Sequence, residues 1–201
     1  MVMAHPLAPV NTVVYGEGTC GENMGDQLSA RDWLDQGLKA LAESGFTALK
    51  AEPLAKAMGV SRGSFYWHFA DINAFHAAIL ARWREVAAEQ IIANVEAAAK
   101  DEDPLALLLR RVFSERLTLE KAVRSWANVD PAARAAVQAI DQRRLGYVES
   151  LLKQSGLSDA VARDRAQILY WTFLGFALSD QPLPKAREQA LVAEILRMAS
   201  R

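Results

Sequence analysis

The sequence has few of the residues that build disulfides and metal centres. It contains one cysteine, Cys20, and three histidines, His5, His68 and His76. A single cysteine cannot form a disulfide within the chain, and no carboxylate stands at metal-binding helical spacing from a histidine. No nucleophile paired with a base and no phosphate loop is present either. We therefore expect no metal, no cofactor and no enzymatic activity.

A strong charge of one sign and long apolar runs are also missing. The formal net charge is -1, so any binding to nucleic acid would have to come from a local basic patch. No apolar run is long enough to cross a bilayer, and residues 1–27 lack the basic and apolar regions of a secretory signal. We expect a cytoplasmic protein with no membrane partner.

Residues 1–27 have no helical periodicity, because prolines and glycines interrupt them. We expect a flexible N-terminal tail. Two interpretations stay open: the tail is a genuine arm of the protein, or natural translation begins at Met24.

Helical periodicity runs from Ser29 almost to the end of the chain and predicts an all-α fold. Ser29 and Asp71 stand where helix caps are needed, and Pro104 can begin a helix. We predict an N-terminal three-helix helix-turn-helix unit, residues 28–72, followed by a larger C-terminal helical bundle, residues 73–201. Further predicted helices are 51–58, 104–117, 118–127, 131–154, 159–179 and 185–199.

The stretch "GVSRGSFYWHF", residues 59–69, combines a glycine turn with a short aromatic helix. Phe65 and Phe69 can pack inward on the first helix. The other face carries Arg62, Gly63, Ser64, Tyr66, Trp67 and His68. A helix N-terminus attracts phosphate, and Arg62 can reach a guanine edge in the major groove. Double-stranded DNA is therefore the expected partner; the alternative is a helix that only packs or docks on another protein.

Residues 29–80, and above all "GFTALKAEPLAKAMGVSRGSFYWHFADINAF", resemble the DNA-binding unit of the tetracycline-repressor (TetR) family of bacterial transcription regulators. This resemblance implies that Tyr66 and His68 position the DNA backbone, while Arg62 and Gly63 read bases. The full set of implied operator contacts is Ser61, Arg62, Gly63, Ser64, Tyr66, Trp67 and His68.

The sequence departs from the family at two places. Lys50 stands where members usually have threonine, and it can hold a phosphate as a point charge. Ala70 and Ile72 stand where members often have lysine. From residue 29 to residue 70 the chain has five basic and four acidic residues, so we expect modest, salt-sensitive DNA binding.

Residues 120–178 also resemble one group of these regulators, through "RSWANVDPAARAAVQAIDQRRLGYVESLLKQSG" and "ARDRAQILYWTFLGFAL". The resemblance implies a ligand pocket in the bundle. Aromatic candidates are Trp83, Phe113, Trp126, Tyr147, Tyr170 and Trp171, although each could be plain core. Together they would suit a small apolar or aromatic effector. The basic residues Arg110, Arg111, Arg143 and Arg144 either pair with a ligand carboxylate or lie on the helix surface.

The segment 168–178 is apolar almost all round, so it must be buried on more than one face. It is either a dimer contact or a central helix within one chain. We expect a homodimer with an interface of Leu169, Phe173, Phe176, Ala177, Leu191, Ile195 and Leu196. The expected function is a dimeric repressor that a ligand releases from an inverted-repeat operator. The alternative is a helical protein-interaction module without DNA binding.

Overall fold

The computed structural model of the chain describes residues 28–99, 102–114, 117–179 and 183–199, which are helical and contain no strand, so the predicted all-α fold is confirmed. The predictions for residues 1–27, including Cys20 and Met24, lie outside these ranges. No helix within them is long and apolar enough to cross a bilayer. The helices are α1 Ala30–Ser44, α2 Ala51–Ala57, α3 Arg62–Tyr66, α4 Ile72–Arg84, α5 Gln90–Ala98, α6 Pro104–Phe113, α7 Thr118–Ala127, α8 Pro131–Gln154, α9 Asp159–Leu178 and α10 Lys185–Ala199.

Helix α1 begins and ends where local chemistry requires it. Ser29 and Asp32 form a capping box, in which each side chain accepts a hydrogen bond from the backbone of the other residue. Gly45 ends the helix with φ 75°, a conformation that is costly for residues with a side chain. A short 3-10 turn, Phe46–Ala48, then leads to α2.

Helix α3 is shorter than the sequence pattern indicates. It ends at Tyr66, and the following residues form a turn in which the His68 N–H donates to the Phe65 carbonyl three residues back, as in a 3-10 turn. Phe69 therefore follows the helix instead of extending it. Phe65 and Phe69 are both buried, with ring centres 5.2 Å apart, and Phe65 meets the Trp33 ring edge-on at 5.3 Å.

The long helix that starts at the Asp71 cap is not continuous. A π-helical segment, Glu85–Glu89, separates α4 from α5. Its wider turn changes the helical register and exposes backbone carbonyl groups to side chains of neighbouring helices. Nothing in the sequence pattern predicts this segment.

Two hydrophobic clusters build the core. The first joins α1–α4 to α7 and the first half of α8, and its largest members are Trp33 of α1, Trp83 of α4 and Trp126 of α7. The second lies among α5, α6, α8, α9 and α10. The domain boundary after residue 72 stays a prediction, and packing is continuous across it because Phe75 and Ile79 belong to the first cluster.

Candidate nucleic-acid interface and internal cavity

Helix α3 and the turn after it present large aromatic side chains to solvent. Trp67 is 88% exposed and Tyr66 is 48% exposed, whereas Phe65, on the inner face of α3, is fully buried. Isolated exposed apolar residues are common, but adjacent exposed aromatic rings on a rigidly anchored turn are typical of a binding surface. This surface is the first candidate site.

The DNA-contact residues expected from the sequence lie on or beside this surface. Ser61 is the residue before α3, and Lys50 is the residue before α2. Ser64 is half-buried; the exposed ones are Lys50, Ser61, Arg62, Gly63, Tyr66, Trp67 and His68. A methyl group added at Gly63 would meet only Ser61 Oγ, at 3.6 Å. Packing within the chain therefore does not require this glycine, whereas close approach of an external surface would.

Arg62 and Tyr66 are held together on the outer face of α3. The Arg62 guanidinium donates to Tyr66 Oη at 3.0 Å and lies 5.6 Å from the centre of the Tyr66 ring. This hydrogen bond raises the pKa of Arg62, which is already far above neutral, so the cation persists at any physiological pH. The pairing fixes a long basic side chain before it meets its partner.

The second candidate site is a cavity of about 270 Å³ inside the C-terminal bundle. Its walls come from α4, the π-helical segment and every helix from α5 to α9. Most lining residues are apolar, and the polar ones are Glu120, Arg144, Tyr147 and Tyr170. A cavity of about 150 Å³ is large enough for benzene, so this one can hold a larger organic molecule.

Buried charges form one wall of the cavity. Glu120, which is 3% exposed, accepts two hydrogen bonds from Arg144, each 3.0 Å long. Arg124 donates to Glu120 at 2.8 Å and to Asp141 at 2.5 Å and 3.2 Å. Tyr170 Oη donates to Asp141 at 2.6 Å. Burial, and then this hydrogen bond, raise the pKa of Tyr170, so the tyrosine stays protonated.

Arg144 also connects this wall to the π-helical segment. It donates to the Ala87 carbonyl oxygen at 3.3 Å and 3.0 Å, and its guanidinium lies 5.3 Å from the centre of the Phe173 ring. Burial lowers the pKa of Arg144, but the Coulombic attraction and hydrogen bonds of Glu120, together with the contribution of Tyr170, outweigh burial, so the net shift is upward. Arg144 is thus a permanent cation that joins α7, α8 and the segment between α4 and α5.

Comparison with known proteins assigns the N-terminal unit of the chain. Residues 34–79 match the family model described as "Bacterial regulatory proteins, tetR family". This segment therefore carries the DNA-binding unit of that family. The chain is a DNA-binding transcriptional regulator. No curated protein matches the sequence significantly.

Solved structures of several proteins have the same fold as this chain. A protein assigned to the TetR-family transcriptional regulators from Rhodococcus sp. is 15% identical, with a TM-score of 0.64 over 86% of this chain and 98% of its own. The reduced form of E. coli NemR is 18% identical, with a TM-score of 0.65; the match covers 85% of this chain and 95% of NemR. The multidrug binding protein EbrR with malachite green is 19% identical, with a TM-score of 0.55 over 83% and 96%.

The aromatic residues expected to bind a ligand are not all in one place. Trp83, Tyr147 and Tyr170 line the cavity in the bundle. Phe113 lies on a separate groove between α6 and α10. Trp126 packs on Phe46, and Trp171 is 63% exposed on α9.

The residues expected at the dimer interface face mainly into the chain itself. Phe176, Leu191 and Leu196 are half-buried, and the buried ones are Leu169, Phe173, Ala177 and Ile195. The exposed apolar residues of α9 are Val161, Ile168, Trp171 and Leu178. Since they follow one another at intervals of seven, three and seven residues, they form a stripe along one face of the helix. We call this set the α9 stripe.

Sequence reasoning missed the carboxylates of the cavity wall. It considered Arg144 as a partner for a ligand carboxylate, but Glu120 already holds this side chain. Arg110 and Arg143 likewise pair with Glu102 and Glu89. The one sequence signal was the spacing of Glu120 and Arg124, which lie four apart on α7.

Proposed function

We propose that this chain is a cytoplasmic, homodimeric repressor of the tetR family that leaves an inverted-repeat operator when a small apolar or aromatic molecule fills its cavity. The observation that carries the proposal is the exposed Tyr66–Trp67 pair on a turn anchored by buried Phe65. The mainly apolar cavity supports the ligand-responsive part. In the EbrR structure, a protein of this fold is complexed with malachite green.

The DNA-binding step uses the outer face of α3. Tyr66, Ser61 and His68 can donate to phosphate oxygens and so set the position of the helix on the duplex. Arg62 is the side chain suited to a guanine edge, and the absence of a side chain at Gly63 permits close approach. Lys50 at the start of α2 supplies a further cation for phosphate.

Release would pass through α7. Glu120 on this helix lines the cavity, and Trp126 on the same helix packs against Phe46 of the DNA-binding unit and against His76 of α4. A ligand that shifts α7 therefore acts at once on the cavity and on the turn between α1 and α2. Such a ligand lowers DNA affinity to the extent that it binds the shifted state more tightly.

The α9 stripe would form the centre of the dimer contact. Its exposed side chains are apolar, and Gly175 on the same face has no atom of another residue within 4 Å of an added methyl group. A second copy of α9 could therefore approach closely, with the two helices related by a twofold axis. To bind an inverted repeat with half-sites one DNA turn apart, the dimer would need its two copies of α3 about 34 Å apart.

Selection of bound fragments from random duplex DNA, at low and at moderate salt, tests this proposal. An enriched inverted repeat is the expected result, with weaker recovery at moderate salt. The double variant Arg62→Ala/Tyr66→Ala should stay folded and dimeric, since both side chains are exposed, and should lose the enrichment. If the folded dimer enriches no sequence, the alternative function, a protein-interaction module without DNA binding, would be favoured.

A further inference from the structure

The charges that face the cavity are already paired with one another. Among the described lining residues, the charged ones are Glu120 and Arg144, and they form an ion pair with two hydrogen bonds. Behind them, Arg124 bridges Glu120 and Asp141. The cluster contains two guanidinium groups and two carboxylates, so its formal charge is zero.

The hydrogen-bonding capacity of these groups is also largely used. Arg144 directs its Nε and both Nη atoms at Glu120 and at the Ala87 carbonyl oxygen. Arg124 directs its Nε and both Nη atoms at Glu120, Asp141 and Tyr170. A ligand carboxylate would have to displace Glu120 from these cations, and a ligand cation would have to displace the cations from Glu120.

Two residues that line the cavity, in contrast, have uncharged polar groups that form no hydrogen bond in the described part of the chain. Tyr147 Oη and Trp83 Nε1 are buried and have no hydrogen-bond partner within the described part of the chain. Burial raises the pKa of Tyr147, so this hydroxyl stays protonated and can donate. A ligand without charge can fill the apolar part of the cavity without disturbing any ion pair.

We infer that the cavity selects electroneutral effectors, and that Glu120 determines this selectivity by neutralising Arg124 and Arg144. The inference deepens the proposed function and rests on its ligand site. Burying a charged ligand beside a satisfied, neutral cluster leaves that charge without a partner, which is strongly unfavourable. Removing the charge of Glu120 alone leaves the cluster with one excess positive charge and should turn the cavity into a site for carboxylates.

Three ligands of the same shape test the inference: 2-naphthamide, 2-naphthoate and 2-naphthamidine, which carry charges of 0, -1 and +1 at neutral pH. Isothermal titration calorimetry with the wild-type protein should show the amide binding at least about tenfold tighter than either ion. Tighter binding of the naphthoate or of the naphthamidine would overturn the inference.

The variant Glu120→Gln keeps the size of the side chain and removes its charge. It should gain at least about tenfold in naphthoate affinity relative to naphthamide. Glu102→Gln is the matched control, because it makes the same change in an exposed pair with Arg110 and should leave all three affinities unchanged. The double variant Glu120→Gln/Arg144→Met restores a neutral cluster and should lose the gain.

The other possible outcomes of these experiments also test the inference. A folded Glu120→Gln protein without any gain for naphthoate would refute the role of Glu120. If this variant does not fold, the wild-type comparison still accepts or rejects neutral selectivity. If none of the three probes binds to the wild type or to any variant, the cavity is not their binding site and the inference is refuted. Selection on random DNA separately tests the DNA-binding half of the proposed function.

Discussion

Trp126 of α7 stacks on Phe46 of the turn after α1, with ring centres 4.6 Å apart and planes within 16° of parallel. His76 of α4 meets both rings edge-on and contacts the Leu49 carbonyl oxygen through Nε2 at 3.0 Å. Leu49 directly precedes Lys50, the residue before α2. The bundle is therefore joined to the DNA-binding unit by an aromatic cluster beside a predicted phosphate contact.

The first prediction concerns the stability that this cluster provides. Trp126 is 1% exposed, so Trp126→Ala should lower the free energy of unfolding by about 3–5 kcal/mol. Trp126→Phe should cost much less, because it keeps a ring stacked on Phe46. Urea unfolding of both variants measures the difference, and equal losses would contradict the stacking role.

The second prediction concerns the close contact of α1 and α4 at Gly37. A methyl group there would lie 2.5 Å from Ile79 Cδ1 and 2.8 Å from Phe75 Cζ, both in the core. Gly37→Ala should therefore destabilise the fold by about 1–3 kcal/mol. Gly146→Ala on α8 is the matched change, since nothing lies within 4 Å of its added methyl group.

Because the added methyl group of Gly146→Ala meets no neighbouring side chain, only the higher helix propensity of alanine changes the stability. This variant should be more stable than the wild type by about 0.5–1 kcal/mol. In thermal unfolding, the midpoint temperature should therefore rise for Gly146→Ala and fall for Gly37→Ala, each relative to the wild type. A stabilised Gly37→Ala protein would show that α1 and α4 do not pack as closely as described.

Local features of the fold could be predicted from the sequence because neighbouring residues determine them. The Ser29 cap, the Gly45 stop and the Asp71 cap each depend on atoms within a few residues along the chain. The end of α3 was harder to predict. Helical spacing of Phe65 and Phe69 is equally compatible with a longer helix and with the tight turn that the structure has.

Features that depend on tertiary contacts could not be predicted in the same way. Glu120 and Arg144 lie 24 residues apart on different helices, so no periodicity links them. Helix α9 shows the limit most clearly, because a pattern that is apolar all round does not specify which face meets the core. The structure buries Leu169 and Phe173 and leaves Ile168 and Trp171 exposed.

The third prediction concerns Trp67 in DNA binding. Since this side chain is 88% exposed, Trp67→Ala should change the free energy of unfolding by no more than about 0.5 kcal/mol. It should weaken binding to the selected operator about tenfold or more, as measured by fluorescence anisotropy. Val129→Ala, at an exposed position between α7 and α8, should leave DNA affinity unchanged. Equal affinity of Trp67→Ala and wild type would remove Trp67 from the interface.

The fourth prediction concerns the α9 stripe. Trp171→Asp places a charge in the middle of this apolar face, where a second copy would have to bury it without a partner. Sedimentation equilibrium should show the variant as a folded monomer at concentrations at which the wild type is a dimer. Val129→Asp puts the same charge at another exposed apolar position and should remain dimeric. A dimeric Trp171→Asp protein would place the dimer contact elsewhere.

The last prediction concerns the pH dependence of the α8 cap. Asp130 accepts hydrogen bonds from the backbone N–H groups of Ala132 at 2.8 Å and Ala133 at 3.0 Å. The Ala133 hydrogen bond is the main reason why the pKa of Asp130 lies below its ordinary value of 3.8. A carboxylate with a lowered native-state pKa stabilises the fold fully above that ordinary value, and this contribution is lost as the pH falls through the native-state pKa.

Asp130→Asn keeps a side-chain oxygen for the cap but cannot titrate, whereas Asp130→Ala removes the cap and should cost about 1 kcal/mol at neutral pH. The stability advantage of wild type over Asp130→Asn should therefore be present at neutral pH and shrink below about pH 4. Urea unfolding across this range measures it. An advantage that stays constant down to the lowest pH would show that the charge of Asp130 contributes nothing at the start of α8.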